Sequence, residues 1–408
     1  MSDFLTAALP GTAGTIGDSP TDFFVEEIPL YEPSDEGEHL YLTVEKQGLT
    51  TYDLLNRVAA ALGARERDLG YAGLKDARAV TRQTISVPGV RIETGLGLRI
   101  PGVQVLSARL HTNKLRPGHL AGNFFRIRIF GTADRAVQRA EAIFQQLQDQ
   151  GVPNRFGRQR FGVLGNSHRV GRALLQKDFT TAVAEIIGEP EKIVHPAWKM
   201  AASAYRDGDY ELAITSFPKH CRNERQLLEQ IVKGRSHRQA VHGTPRKLLR
   251  LYLSAYQSAL FDRLVLMRLD SLGTFLSGDL AYKHVNGASF IVEDPAVEQP
   301  RADQFEISPS GPLYGYKVRL AEDQAGLLEH ALLDKEQLKL KDFRLGGGLS
   351  MEGARRPLRV PLLNPLVTAV TDGIQVSFQL PKGSFATTVL HEIMKVDARD
   401  ESLAGVLH

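Results

Sequence analysis

The chain has 408 residues, 42% of them apolar and 24% charged, which is too long for a typical single domain and too apolar for a largely disordered protein. Net charge is +3, from 50 basic and 47 acidic side chains, so the total alone does not mark a nucleic-acid binder. The single cysteine, Cys221, excludes an internal disulfide and leaves no zinc-site spacing.

Met1 to Ser19 is rich in Gly, Thr and Ala and lacks the basic and apolar regions of a leader, and nowhere do about eighteen apolar residues run together. The expectation is a soluble cytoplasmic protein with no membrane partner. Position alternation in His39 to Lys46, with Leu40, Leu42 and Val44 on one side and Tyr41, Thr43 and Glu45 on the other, predicts a half-buried strand. A helix follows over Thr51 to Leu62, where Leu54, Leu55, Val58, Ala59 and Leu62 recur at helical spacing behind a cap at Thr50 or Thr51. Gln83 to Val87 is strand-like and stops at Pro88-Gly89. Asn123 to Phe130 alternates again, setting Phe125, Ile127 and Ile129 against Phe124, Arg126 and Arg128.

Asp134 to Leu147 has helical spacing, and Gly151-Val-Pro153 closes it; the first domain boundary is placed there. From Asn154 to about Leu340 helices dominate, including Arg225 to Lys233, Arg246 to Leu269 and Asp323 to Leu333, with a strand pair near Ala281 to Glu293. Gly346-Gly-Gly348 and the segment to Pro357 mark the return. Ile374 to Leu380 then alternates as a strand, and Ser384 to Met394 is expected as a helix capped by Ser384. Val396 to His408 reads as a loose tail. The expected organisation is an α+β domain of residues 1–153 and 341–408, interrupted by an inserted domain of residues 154–340.

Charge is sorted along the chain. Asp18 to Asp53 carries ten acidic residues against one Lys, Arg155 to Arg172 five Arg and no acid, and Lys219 to Arg250 nine Lys or Arg against two Glu. His111, Lys114, Arg116, His119, Arg126 and Arg128 add a further run without an acid. Such sorting is what a face meeting a phosphate backbone would show, so RNA is the expected partner, although each cluster alone fits a solvated basic face.

One turn stands out chemically: Gly70-Tyr-Ala-Gly-Leu-Lys-Asp-Ala-Arg-Ala-Val-Thr-Arg-Gln-Thr-Ile-Ser-Val87, which sets Asp76 between small residues and a strand, with Lys75, Arg78 and Arg82 nearby. Neighbouring cations favour the ionised form of a carboxylate, and a positioned, ionised Asp can act as nucleophile or base. Asp is also an ordinary turn residue that bonds local backbone, and the segment alone leaves both readings open.

The string Ala-Gly-Leu-Lys-Asp-x-x-Ala-Val-Thr-x-Gln resembles the signature of the TruD family of tRNA pseudouridine synthases. Further blocks resembling that family follow in order: Asp22 to Pro29, Gly37-Glu38-His39, Gly122-Asn-Phe-Phe125, Asn154 to Gly162, Ser254 to Ser258, Ile307 to Pro312 and Leu380 to Thr388. The resemblance implies a pseudouridine synthase core, a mixed but largely antiparallel sheet flanked by helices, with an inserted second lobe and a positively charged cleft. It implies isomerisation of uridine in tRNA, at position 13, with Asp76 as the catalytic residue. It maps Asn123, Phe125 and Phe23 to the active site, Phe125 being the surface on which an extruded base stacks. Without the resemblance, Phe125 reads first as a core residue on the apolar face of its strand.

Arg158 and Arg160, opening the insert, are candidates to clamp phosphates or to bond loop carbonyls. Lys75 is a candidate to pair with a phosphate or to hold Asp76 charged. The family pattern is not complete: Gly17 stands where a basic residue is expected, Arg155 and Phe385 where Tyr is common, and Ala77 where a basic residue is frequent. If the cation lost at Gly17 partners the carboxylate, Arg78 is the candidate to replace it. The isomerisation breaks the C1′–N1 bond and joins C1′ to C5 without redox change, so no cofactor and no metal are expected. No dinucleotide fingerprint, P-loop or His-Glu-x-x-His occurs. Two other readings compete: an RNA-binding or remodelling protein without chemistry, and a hydrolase that releases free uracil.

Overall fold

The computed structural model describes residues 3–396; the tail reading of Val396 to His408 falls almost wholly outside them. The described residues form two compact units, one of residues 3–152 and 360–396 and the other Pro153–Arg359.

In the first unit seven strands lie in the order Leu363–Val370, Gly373–Pro381, Leu120–Phe130, Phe23–Pro29, Val80–Pro88, His39–Lys46 and Val103–His111. Thr15–Ile16 and Gly70–Tyr71 add short edges to this sheet, pairing with Leu120–Phe130 and Val80–Pro88. Every adjacent pair runs antiparallel except Phe23–Pro29 beside Val80–Pro88, which is parallel. This is the mixed, largely antiparallel α+β fold expected from the sequence.

The alternation of each strand decides what its two faces do. Leu40, Leu42, Val44, Ile85 and Val87 project onto the helix Thr51–Leu62 and form one apolar core. That helix starts where predicted because Thr50 and Asp53 form a reciprocal capping box, and it ends at Gly63 in the left-handed region with φ of 64°. Val25, Phe125, Ile127, Ile129, Ile374, Val376 and Phe378 form a second core with the helices Ala136–Gln150 and Ala386–Met394. The last helix begins later than the sequence suggests. Ser384 is not its cap: its N–H bonds Pro381 in the preceding turn, and the cap position falls on Phe385.

The second unit is mostly helical. Its longest helix, Arg246–Met267, buries residues along its length and packs against Ser167–Gln176. Gly171 permits that approach, since a Cβ there would stand 2.1 Å from the Tyr252 carbonyl oxygen. A four-stranded sheet runs in the order Ser289–Ile291, Leu280–Lys283, Ile307–Leu313, Ala354–Pro357. Because Ala354–Pro357 pairs with Ile307–Leu313, the chain re-enters the first unit at Val360 and not at residue 341. The glycine run Gly346 to Gly348 is therefore a turn inside the second unit.

Candidate active site

Between the two apolar cores of the first unit, on the same face of the sheet, the strands carry polar residues. Lys46, Thr81, Gln83, Glu27 and Asn123 all occupy the register that elsewhere buries Leu, Ile, Val and Phe. Val25 pairs with Thr81 and Phe125, and Glu27 pairs with Asn123 one row further on. A seam of buried polar groups thus runs across the centre of the sheet, and the turn containing Asp76 lies over it.

That turn is held from beneath by one segment, Lys46 to Thr51. The Gly48 N–H donates to the Ala77 carbonyl at 3.1 Å. The Lys46 ammonium donates to the carbonyl of Asp76 at 3.1 Å and reaches that of Lys75 at 3.5 Å. The Lys75 N–H donates to the Thr51 hydroxyl at 2.8 Å, and that hydroxyl donates to Gln83 Oε1 at 3.0 Å. Three consecutive residues of the turn are therefore anchored at their backbone, while Asp76 itself is exposed. Immobilised backbone beneath an exposed carboxylate is the arrangement a reacting group needs, because its geometry is set before substrate arrives.

The Lys75 side chain is committed to a buried partner. Its ammonium lies 2.8 Å from Glu27 Oε1, with the two side chains only 7% and 5% exposed. Glu27 Oε2 also accepts the Thr84 N–H at 3.1 Å. Gly73 lies against this pair, and a Cβ there would stand 3.1 Å from Glu27 Oε1 and 3.3 Å from Lys75 Nζ. As a correction to the sequence reading, Lys75 is a buried tie between the turn and the strand Phe23–Pro29, not a phosphate ligand. Arg82 projects from the opposite face, bonded to Glu45 at 2.8 Å and lying over the Phe24 ring. Arg78 is exposed.

Phe125 is also corrected as an exposed stacking surface. It is 7% exposed within the second apolar core, its ring 5.5 Å from that of Phe378. Phe23 is half-buried and packs against the same core. Asn123 lies in the seam, and its Oδ1 is buried with no hydrogen-bond partner; Gln83 Nε2 and Thr81 Oγ1 share that condition. A buried polar atom without a partner costs on the order of 1–3 kcal/mol, so three of them in one seam mark it as a place where stability is not the governing demand.

The candidates at the start of the second unit divide. Arg158 is exposed. Arg160 donates to the Ser258 hydroxyl at 3.0 Å and lies over the Phe156 ring, and burial lowers its pKa. Of the two roles left open for Arg160, the structure supports the internal one. Arg169 and Arg172 of the same basic block are paired with Glu185 and Glu336 at 2.9 and 2.7 Å. In the first unit, Arg128 pairs with Asp22 at 3.6 Å and Arg126 lies over Phe24. Linear charge sorting therefore overstated the free positive charge in both places. The cations from Lys219 to Arg250 differ, being mostly exposed.

Glu27, Lys46, Thr51 and Gln83 were not singled out from the sequence as parts of this site. The signal was present in the strand alternation: Lys46 continues the side of Leu40, Leu42 and Val44, and Gln83 that of Ile85 and Val87. Polar residues in a buried register need a reason.

A mixed, largely antiparallel sheet flanked by helices and interrupted by a second unit is the architecture that the resemblance implied, and comparison with known proteins places the chain among the pseudouridine synthases. The family model for tRNA pseudouridine synthase D (TruD) matches residues 2–393, and the chain belongs to that family. It is 56% identical over 397 residues to a tRNA pseudouridine synthase D of Syntrophotalea carbinolica, covering 97% of this chain and 100% of the relative. A protein of the same description from Geobacter metallireducens is 54% identical, with 96% of this chain and 97% of the relative covered. A crystal structure from Methanosarcina mazei bearing the TruD description superposes with a TM-score of 0.81 at 25% identity, covering 97% of this chain and 96% of that one.

Proposed function

We propose that this chain isomerises uridine to pseudouridine in tRNA, using the Asp76 carboxylate. Membership in the family over nearly the whole chain makes it a pseudouridine synthase. The observation that carries the site is the exposed Asp76 on a turn whose backbone is anchored at three successive residues.

In the reaction the C1′–N1 bond of the target uridine breaks, the uracil turns, and C1′ joins C5. All atoms are conserved, and the C5 proton is the one that must leave while N1 gains a proton. A carboxylate at the sugar serves this by attacking C1′ or by removing a proton from the ribose. Both routes need the nucleotide out of its stack, because a paired and stacked base shields the sugar and C5.

Residues 3–152 and 360–396 supply the sheet, the seam and Asp76, and act as the catalytic unit; Pro153–Arg359 acts as an RNA-holding insertion. The exposed cations between Lys219 and Arg250 favour this role for the second unit. Arg158 is its candidate phosphate contact. Asn123 and Phe23 are proposed to line the uracil site, with the unpartnered Asn123 Oδ1 able to accept the uracil N3–H. The position 13 preference is what the resemblance in sequence implies, and a cytoplasmic location fits a family that modifies tRNA. No helix of the described residues is long and apolar enough to cross a membrane.

The test is incubation with unmodified tRNA followed by carbodiimide mapping of the product. A single pseudouridine at position 13 is expected. Unchanged tRNA would favour a binding protein, and free uracil with an abasic site would favour a hydrolase.

A further inference from the structure

Lys46 is the last residue of a strand whose inward side chains are buried, and it keeps their side: it is 1% exposed. Removing an ammonium from water costs several kcal/mol unless its donors and charge are met. Its donors are met by carbonyl oxygens, those of Leu49, Lys75 and Asp76. Two of the three belong to the turn that presents Asp76. A methionine would fill the same space without the desolvation cost, and the Gly48–Ala77 backbone bond ties the two segments without any cation. What the lysine adds is a positive charge fixed beneath the carboxylate.

We propose that Lys46 is a positioning residue of the active site, its buried ammonium fixing the Lys75 and Asp76 carbonyls and placing a positive charge beneath the Asp76 carboxylate. The proposal rests on the reading of Asp76 as the reacting carboxylate.

The groups facing Lys46 come from every neighbouring element. Asp76 and Lys75 lie on the turn, Asp53 on the helix Thr51–Leu62 and Glu27 on the strand Phe23–Pro29. The strands paired with it place Thr81 and Val103 opposite, neither of them titratable. Burial pushes the ammonium down to about 8, with Asp76 the largest charge opposing that shift and Lys75 adding to it. A lowered lysine is charged below that value and neutral above it, so its service to Asp76 is present at neutral pH and fades as pH rises through about 8.

The experiment measures the single-turnover rate and the KM for tRNA of the wild type, Lys46→Met, Lys46→Arg and Asp76→Asn between pH about 6 and about 9.5, with thermal unfolding of each. Lys46→Met is expected to lower the rate at saturating tRNA by about 100-fold, the scale of losing one preorganised electrostatic group, with KM changed less than about threefold. Lys46→Arg, whose cation does not titrate in this range, is expected to recover part of that rate. The wild type should lose activity through pH about 8, and neither variant should show that limb. A Lys46→Met rate near wild type overturns the proposal, as does a loss confined to KM. If that variant does not fold, the wild-type profile decides, and one that is flat through pH 8 overturns it. Asp76→Asn separates the two ideas: full activity there overturns the reading of Asp76, whereas an inactive Asp76→Asn beside a normal Lys46→Met overturns only the role of Lys46.

Discussion

Replacing Lys75 distinguishes a buried structural tie from an RNA contact, because the two roles change different observables. In the structure the ammonium and the Glu27 carboxylate are 2.8 Å apart and both nearly inaccessible. Lys75→Met leaves Glu27 buried with the Thr84 N–H as its remaining donor among these bonds. Removing one partner of such a pair costs about 3–5 kcal/mol, mostly as the penalty on the charge left behind. Glu27→Gln should cost a similar amount by stranding the ammonium. The double variant should lose about 1–3 kcal/mol less than the sum of the two, since neither charge is then abandoned. Urea unfolding followed by circular dichroism reads these differences. A phosphate contact predicts another outcome: tRNA affinity would fall, and the slope of log affinity against log salt would drop by about 0.7–0.9. Lys75→Met with unaltered unfolding and a shallower salt slope would refute the buried-tie reasoning.

Four further outcomes follow from particular residues. Burial raises Asp262 to about 7, so the folded chain holds a proton there that the unfolded chain has released, and stability declines as pH rises from about 4 to about 7; Asp262→Asn should remove that slope in a series of thermal melts. His168 and His284 are pushed down to about 4 by burial. Their contribution is therefore fully present above about 6.5 and is lost as pH falls toward about 4, and His168→Phe should weaken that acid loss measured the same way. Phe125→Ala should cost about 3–5 kcal/mol in urea unfolding, as expected for a truncated core aromatic, and a cost below about 1 kcal/mol would contradict its placement beside Phe378. Gly171→Ala should force the helix Ser167–Gln176 off Arg246–Met267, read as a lowered melting temperature of the second unit.

Much of the scaffold was legible because it is written in short-range periodicity. The alternation of His39 to Lys46 and Asn123 to Phe130, the Thr50 cap and the run of Leu54, Leu55 and Val58 each depend on neighbours a few residues away. Strand Val103–His111 was missed because its alternation is shallow, with only intermediate or exposed positions. The late return to the first unit was missed because the pairing of Ala354–Pro357 with Ile307–Leu313 is long-range. At the site, the family resemblance pointed to Asp76, but the partners of the neighbouring cations could not be read from adjacency. Lys75 sits next to Asp76 in sequence and spends its charge on Glu27, whereas Lys46, distant in sequence, lies beneath the turn. Phe125 shows the converse, since its place on the apolar side of an alternating strand was the better guide to where its ring packs.

The central claim is that the carboxylate of residue 76 does the chemistry on a chain otherwise able to hold its RNA. Its most direct measurement is the rate of pseudouridine formation in unmodified tRNA by Asp76→Asn beside the wild type, with tRNA affinity measured on both at the same salt concentration. The account predicts product with the wild type alone and affinities within about threefold, because the amide keeps the shape of the turn while removing the reactive charge. Pseudouridine formed by Asp76→Asn at the wild-type rate would contradict it.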